Sequence, residues 1–317
     1  MSCFFDILKY MKSKYLLILV LGTLAITGCN YKRPLTDFDF NDPNIQIADS
    51  LENVGSETAH VVLLYGQSNA DGVSHNGILE TKQPEVFNEY STGYDNVLIN
   101  FYNDGGQNTS NLSFRRCTLG CGCGNAYFGP EMGIAQRMHE KYPSEKTFII
   151  KWTFGGTNLS RDWLDGSYRR GNLYDSSMDF SIKCLDYLLS KGYELSIDGI
   201  CWMQGESDTF FSTTRRYYKD TYSYVRFLRH DLSKYQEEIK FIDAGINEEK
   251  LVWLDANKIN KAKKQFANES ELNEYIDTNE MGLTSLGEPE ESVDRAHYDS
   301  GSMVKLGQAF GDKLIGE

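Results

Sequence analysis

Three short, mostly apolar runs, at 60–65, 147–153 and 197–203, each give way to glycine and to side chains capable of chemistry. The turns that follow them are Gly66-Gln67-Ser68-Asn69, Gly155-Gly156-Thr157-Asn158 and Gln204-Gly205-Glu206-Ser207. Runs of this length and composition read as strands buried on both faces, as in a parallel sheet. Helical periodicity opens at Gly129-Pro130-Glu131 and recurs over 178–191, 215–235, 251–267 and 301–314. Further strands are expected at 239–246 and 274–277. Strands alternating with helices imply βαβ units, and hence an α/β fold with a central parallel sheet covered on both faces. In such sheets ligands bind beyond the carboxyl ends of the strands, which is where the three polar turns fall.

The beginning of the chain belongs to a different kind of segment. Residues 15–26 are apolar, follow Lys12 and Lys14, and end in Ile26-Thr27-Gly28-Cys29. A charged stretch followed by a short apolar one has the layout of a secretory signal, and is too short for the roughly 20 residues of a bilayer span. The run into Cys29 resembles the lipobox of bacterial lipoproteins; the alternative is an ordinary signal with a coincidental cysteine. The expected organisation is a signal peptide at 1–28, a flexible tether at 29–57 and a catalytic domain at 58–317. The tether reading rests on polar and acidic composition with Pro34 and Pro43. An exported lipoprotein, periplasmic or at the cell surface and anchored through Cys29, follows from the same reading. A net charge of −13 argues against nucleic acid or an anionic membrane surface as partner, so lipid at Cys29 is the only membrane contact expected. Nothing here assigns an oligomeric state.

Export would place the remaining cysteines in an oxidising compartment. Cys117, Cys121 and Cys123 cluster in a glycine-rich stretch. A disulfide from Cys117 to one of the other two is the first reading, and free thiols the second. A metal site is third, because no fourth ligand follows at zinc spacing. Cys184 and Cys201 fall in apolar periodic segments and read as core.

Ser68 stands where a strand becomes a turn. A nucleophilic serine needs an exposed hydroxyl, a base and donors for an oxyanion. On its own, Ser68 reads more readily as a helix cap. His297 adds to the case, because Asp294-Arg295-Ala296-His297 can fold within one tight turn that lets the carboxylate fix the imidazole. His60 and His139 read as strand-edge and helix-surface residues, His75 as a pocket neighbour and His230 as solvated. The order Ser, Asp, His also occurs in α/β-hydrolases, but their Gly-x-Ser-x-Gly elbow is broken here by Ala70.

Taken together, Gly66-Gln67-Ser68-Asn69, Gly129-Pro130-Glu131, Gly155-Gly156-Thr157, Trp202-Met203-Gln204-Gly205-Glu206-Ser207-Asp208 and Asp294-x-x-His297 resemble the SGNH hydrolases. More narrowly, they are similar to the sialate O-acetylesterase-like branch and carbohydrate esterase family six. The resemblance implies a flavodoxin-like three-layer α/β/α sandwich and a serine esterase removing acetyl groups from carbohydrate through an acyl-enzyme. Acetylated polysaccharides such as xylan and O-acetyl sialic acids are the two substrate classes it leaves open. It implies no cofactor and no metal.

By the same resemblance Ser68 is the nucleophile, His297 the base and then acid, and Asp294 its orienting carboxylate. The Ser68 amide, the Gly156 amide and the Gln204 side chain would form the oxyanion hole, with Gly155 the alternative to Gly156. Glu206, Asn69 and Gln67 are candidates for site support, Glu206 as a structural carboxylate beneath the site. Trp163 and Tyr298 are candidates for stacking on sugar, Trp202 reads as core, and the lysines of 258–264 as a wet helix face. Relatives commonly continue Asp-Gly-x-His-Leu or -Phe, whereas this chain has Arg295 and Tyr298, and the Cys-rich segment is an elaboration; both bear on the pocket. The rival reading is a carbohydrate-binding lipoprotein on an esterase scaffold without turnover, against which stand all three triad candidates.

Overall fold

The structure, a computed structural model, describes residues 39–210, 212–249 and 252–317. The signal segment and Cys29 lie outside the described residues. Six parallel strands form the sheet: β1 (Glu57–Gly66), β2 (Val97–Asn103), β3 (Lys146–Thr153), β4 (Tyr193–Met203), β5 (Phe241–Ala244) and β6 (Asn273–Ile276). Their order across the sheet is β6-β5-β4-β1-β3-β2, with short antiparallel pieces at Asn108–Thr109 and Arg115–Arg116 pairing against β2. The last eight residues of β1 are all buried, as a central strand covered on both faces requires.

The helices are α1 (Ser68–Asp71), α2 (Asn76–Lys82), α3 (Pro84–Thr92), α4 (Glu131–Lys141), α5 (Asn172–Ser190), α6 (Tyr217–Leu232), α7 (Ala256–Ala267) and α8 (Ser300–Ile315). Helices α4 and α8 pack on each other on one face, whereas α5, α6 and α7 cover the other. The molecule is a three-layer α/β/α sandwich. The chain runs from β1 to one side of the sheet and returns to the other at β4, so the crevice between the ends of β3, β1 and β4 is the topological switch point.

Strand β2 was not expected, although Val97-Leu98-Ile99-Asn100-Phe101-Tyr102 carries an apolar signal. Asn100 and Asn103 interrupt that signal, yet both are buried and hydrogen-bonded: Asn100 Oδ1 accepts from Ser110 Oγ at 2.6 Å, and Asn103 Nδ2 donates to the Cys121 carbonyl at 2.9 Å. The tether reading is corrected over 39–56. Phe40 is buried against Tyr102 and Phe180, and the amides of Ala48 and Val54 bond Leu112 and Lys191. The wet face of 258–264 also has an exception: Lys263 turns inward, fully buried, to pair with Asp243 and donate to the Ala244 carbonyl. His60 is buried, its Nδ1 on Asp198 at 3.0 Å and its ring stacked on Tyr142, so it is not an edge residue.

Candidate active site

The turn after β1 is forced into shape by backbone proximity. Gly66 has φ +148, and a Cβ there would sit 2.0 Å from the Met203 carbonyl oxygen, so only glycine lets β1 and β4 close together at this point. The Gln67 amide then donates to Met203 O at 3.0 Å, and the single turn of α1 begins. Ser68 is its first helical residue, preceded by a Gln67 that makes no side-chain cap. The helix-cap reading of Ser68 therefore does not hold. Its hydroxyl has no hydrogen-bond partner among the described residues, and its amide is one of the unpaired donors of a first helical turn.

The loop after β3 comes up beside it. A Cβ on Gly155 would lie 3.7 Å from Ser68 Cβ, which places the glycine pair against the Ser68 turn. The Gly155 amide donates to Asp104 Oδ1 at 3.2 Å, whereas Gly156, at φ +68, makes no amide bond among the described residues. That difference favours Gly156 as an oxyanion donor.

Gln204 is fully buried, and its amide nitrogen is already engaged: Nε2 donates to Asp208 Oδ2 at 2.7 Å and to the Thr157 carbonyl at 3.0 Å, with Gln67 Oε1 at 3.2 Å. Tyr217 donates to Gln204 Oε1 at 3.1 Å. In this arrangement Gln204 ties the three turns together. Its expected part as a third oxyanion donor requires it to exchange one of those acceptors.

Asp294 and His297 form the pair that their spacing predicts. His297 Nδ1 meets Asp294 Oδ2 at 2.6 Å, while Asp294 Oδ1 accepts from the amides of Ala296 at 2.8 Å and His297 at 3.3 Å. Burial works to raise the Asp294 carboxyl, but the imidazole and the two amides outweigh it and hold it below the ordinary carboxylate value. With Nδ1 taken, Nε2 is the nitrogen left for proton transfer. No direct Ser68–His297 hydrogen bond joins them; such contacts are often long before substrate arrives.

What links the two halves is Asn69. Its Nδ2 donates to Glu206 Oε1 at 2.6 Å and to the Ala296 carbonyl at 3.4 Å, and its Oδ1 accepts from the Tyr298 amide at 3.1 Å. Asn69 therefore grips the residues on either side of His297 while sitting next to Ser68. Glu206 is fully buried with Oε2 unpartnered among the described residues, and burial raises its carboxyl. Gln67 is buried too, its Oε1 receiving Gln204 and the Ser207 amide.

Below α1 lies a buried cation. Lys151 Nζ donates to the carbonyls of Asp71 and Cys121 and to Glu131 Oε2, each at 2.8 Å, and Glu131 Oε1 receives the Gly129 amide at 2.8 Å. This explains the Gly129-Pro130-Glu131 block as support rather than chemistry. The Cys-rich segment is held in the same way: Lys151 and Asn103 fasten its carbonyls beside α1.

Three expectations are corrected here. Trp163 is buried, packed edge-on against Trp152 at 5.4 Å and Trp202 at 4.9 Å, with its Nε1 on Thr157 Oγ1 at 3.1 Å; it cannot stack on sugar. Tyr298 is likewise buried, its hydroxyl directed to the Gly245 carbonyl at 3.3 Å. Cys117, Cys121 and Cys123 form no disulfide; Cys117 and Cys121 are separately buried thiols. Among the described residues no group of three or more His, Cys, Asp or Glu is placed to hold a metal ion. Asp208, quoted in the motif but given no role, emerges as a hub, because its Oδ2 takes both Gln204 Nε2 and the Leu159 amide at 2.8 Å. Tyr217 carried no signal at all.

Residues 58–316 match the family model described as carbohydrate esterase, sialic acid-specific acetylesterase. Among curated sequences none matches significantly. Solved structures do. A protein from Arabidopsis thaliana aligns at TM-score 0.59 with 17% identity, over 81% of this chain and 98% of that one. NanS aligns at TM-score 0.57 with 14% identity, over 83% and 97%. A carbohydrate acetylesterase from Xanthomonas citri aligns at TM-score 0.51 with 12% identity, over 81% of this chain and 56% of that one. At these identities the likeness is one of fold.

Proposed function

The chain belongs to the carbohydrate esterase, sialic acid-specific acetylesterase family, and we propose that Ser68, His297 and Asp294 carry out its reaction through an acetyl-enzyme. It is a carboxylic ester hydrolase acting on acetylated carbohydrate. In the proposed sequence Ser68 Oγ attacks the acetyl carbonyl while His297 Nε2 takes its proton, and Asp294 supports the imidazolium. The tetrahedral oxyanion is received by the amides of Ser68 and Gly156, with Gln204 as third donor where it releases the Thr157 carbonyl. Collapse breaks the ester bond, and the sugar oxygen leaves with the proton from His297. Water, deprotonated by His297, then attacks the acetyl-Ser68 carbonyl and frees acetate and the serine.

One observation carries this reading: the Asn69 side chain joins the turn that bears Ser68 to both neighbours of a His297 already oriented by Asp294. The test is acetate release from p-nitrophenyl acetate by the purified full-length chain. Ser68→Ala is expected to fall at least 1,000-fold, toward the residual that oxyanion donors alone sustain (about 10³–10⁴ over water). Wild-type turnover no faster than Ser68→Ala would dispose of the assignment.

We further propose that the protein is exported and held at a membrane by lipid on Cys29, which the sequence preceding Cys29 supports. Among the described residues no helix is long and apolar enough to cross a membrane. On this proposal Cys29→Ser moves the protein from the membrane fraction to the soluble one on cell fractionation; unchanged membrane retention would refute it.

A further inference from the structure

Neither aromatic expected to stack on sugar is exposed, so recognition of the carbohydrate has to be sought elsewhere on the face that carries Ser68. The turn Glu206–Asp208, which holds Asn69 and Gln204, continues directly into the wall of a groove of about 760 Å³. That volume falls within the ~300–1,000 Å³ of small-ligand sites. Thr209 donates from its amide and its Oγ1 to the Glu206 carbonyl, at 3.2 and 2.7 Å, and Thr214 Oγ1 donates to the Asp208 carbonyl at 2.7 Å. The groove wall and the Glu206–Asp208 turn are therefore one hydrogen-bonded unit.

Its lining has the two kinds of surface that a pyranose needs. Phe210, half-buried, is braced edge-on by Trp253 at 6.1 Å, and Leu254 beside it is 73% exposed. These offer an apolar face to the C–H side of a ring. Arg215 is exposed and has no ion pair or hydrogen bond among the described residues, and Lys258 pairs only with Asp255 at 2.8 Å. In a chain of net charge −13, this rim presents donors to ring hydroxyls and other oxygen acceptors.

We propose that this groove is a subsite for a sugar ring flanking the acetylated one, so that the enzyme acts on acetylated oligo- or polysaccharide in preference to a single acetylated sugar. The proposal rests on Ser68 being the nucleophile. Its occupant is the substrate's own chain, because the groove wall is built on the turn whose Glu206 and Asp208 hold Asn69 and Gln204. Ring contacts on Phe210 and donors from Arg215 supply binding remote from the ester, which appears as a gain in kcat/KM with chain length.

The test measures kcat/KM of the full chain on acetylated oligosaccharides of one to four residues, with p-nitrophenyl acetate as reference for the acyl chemistry. A rise of ten-fold or more from the monosaccharide to the longer substrates is expected. Phe210→Ala and Arg215→Ala should each remove most of that rise, chiefly through KM, so that the ratio of oligosaccharide to p-nitrophenyl acetate activity falls. Arg215 is exposed, which keeps that variant informative where Phe210→Ala misfolds. A profile flat with chain length, or a rise that survives both substitutions, overturns the subsite while leaving the esterase intact. Absence of p-nitrophenyl acetate hydrolysis in the wild type overturns both.

Discussion

The Asn69 carboxamide uses its donor group on Glu206 and Ala296 and its acceptor on Tyr298, so one side chain sets the height of the His297 loop above Ser68. Displacing a catalytic group by about 1 Å can cost on the order of 100-fold. Asn69→Ala is accordingly expected to lower kcat roughly 10- to 100-fold on p-nitrophenyl acetate with little change in KM. Glu206→Gln keeps an oxygen for Asn69 and should retain most activity, whereas Glu206→Leu should behave like Asn69→Ala. Steady-state kinetics on the three variants decide it, and an unaltered kcat in Asn69→Ala would mean that His297 is positioned without it. At this scale the sequence was legible where function needs neighbours in the chain. Asp294 and His297 are three residues apart, and Ser68 follows a strand end. It was misleading for Trp163 and Tyr298, because an aromatic near a motif looks the same whether it faces sugar or, as here, Trp152 and Gly245.

Elements were readable in proportion to how uniformly they are buried. Strands β1, β3 and β4 announce themselves because the sheet covers both their faces, leaving runs without polar alternation. β2 escaped because its buried asparagines look like loop residues until their partners, Ser110 and the Cys121 carbonyl, are known. Lys263 escaped for the same reason: the carboxylate that draws it inward is Asp243, on a different element. Composition also misled over 39–56, where one deeply buried Phe40 and a few backbone bonds fasten an otherwise polar stretch onto the domain. In the Cys-rich segment the spacing suggests a disulfide, but the three thiols are unpaired. Here Lys151 and Asn103 order it through its carbonyls.

At the scale of the molecule, three buried aspartates share a direction. Burial pushes Asp71 and Asp208 up to about 7 and Asp243 to about 6, from an ordinary value of 3.8, against the pull of Lys151 on Asp71 and of Lys263 on Asp243. A carboxyl that keeps its proton to higher pH when folded stabilises the fold fully below its unfolded value and loses that contribution as pH rises through its folded value. The urea midpoint should therefore fall between about pH 4 and pH 7, and Asp71→Asn should reduce the slope. A wild-type midpoint that stays flat across that window would contradict the assignment of these three groups.

The Asn69–Tyr298 bond spans 229 residues, which has a meaning for the making of the protein as well as its working. At synthesis rates of 5–20 residues per second, roughly 10 to 45 s separate the emergence of the two partners. For nearly all of that interval the nascent chain holds Ser68 without Asp294 or His297. On the proposed assignment of Ser68 and His297, the base therefore joins the serine turn only once the loop bearing Asp294 and His297, the last before α8, has been made.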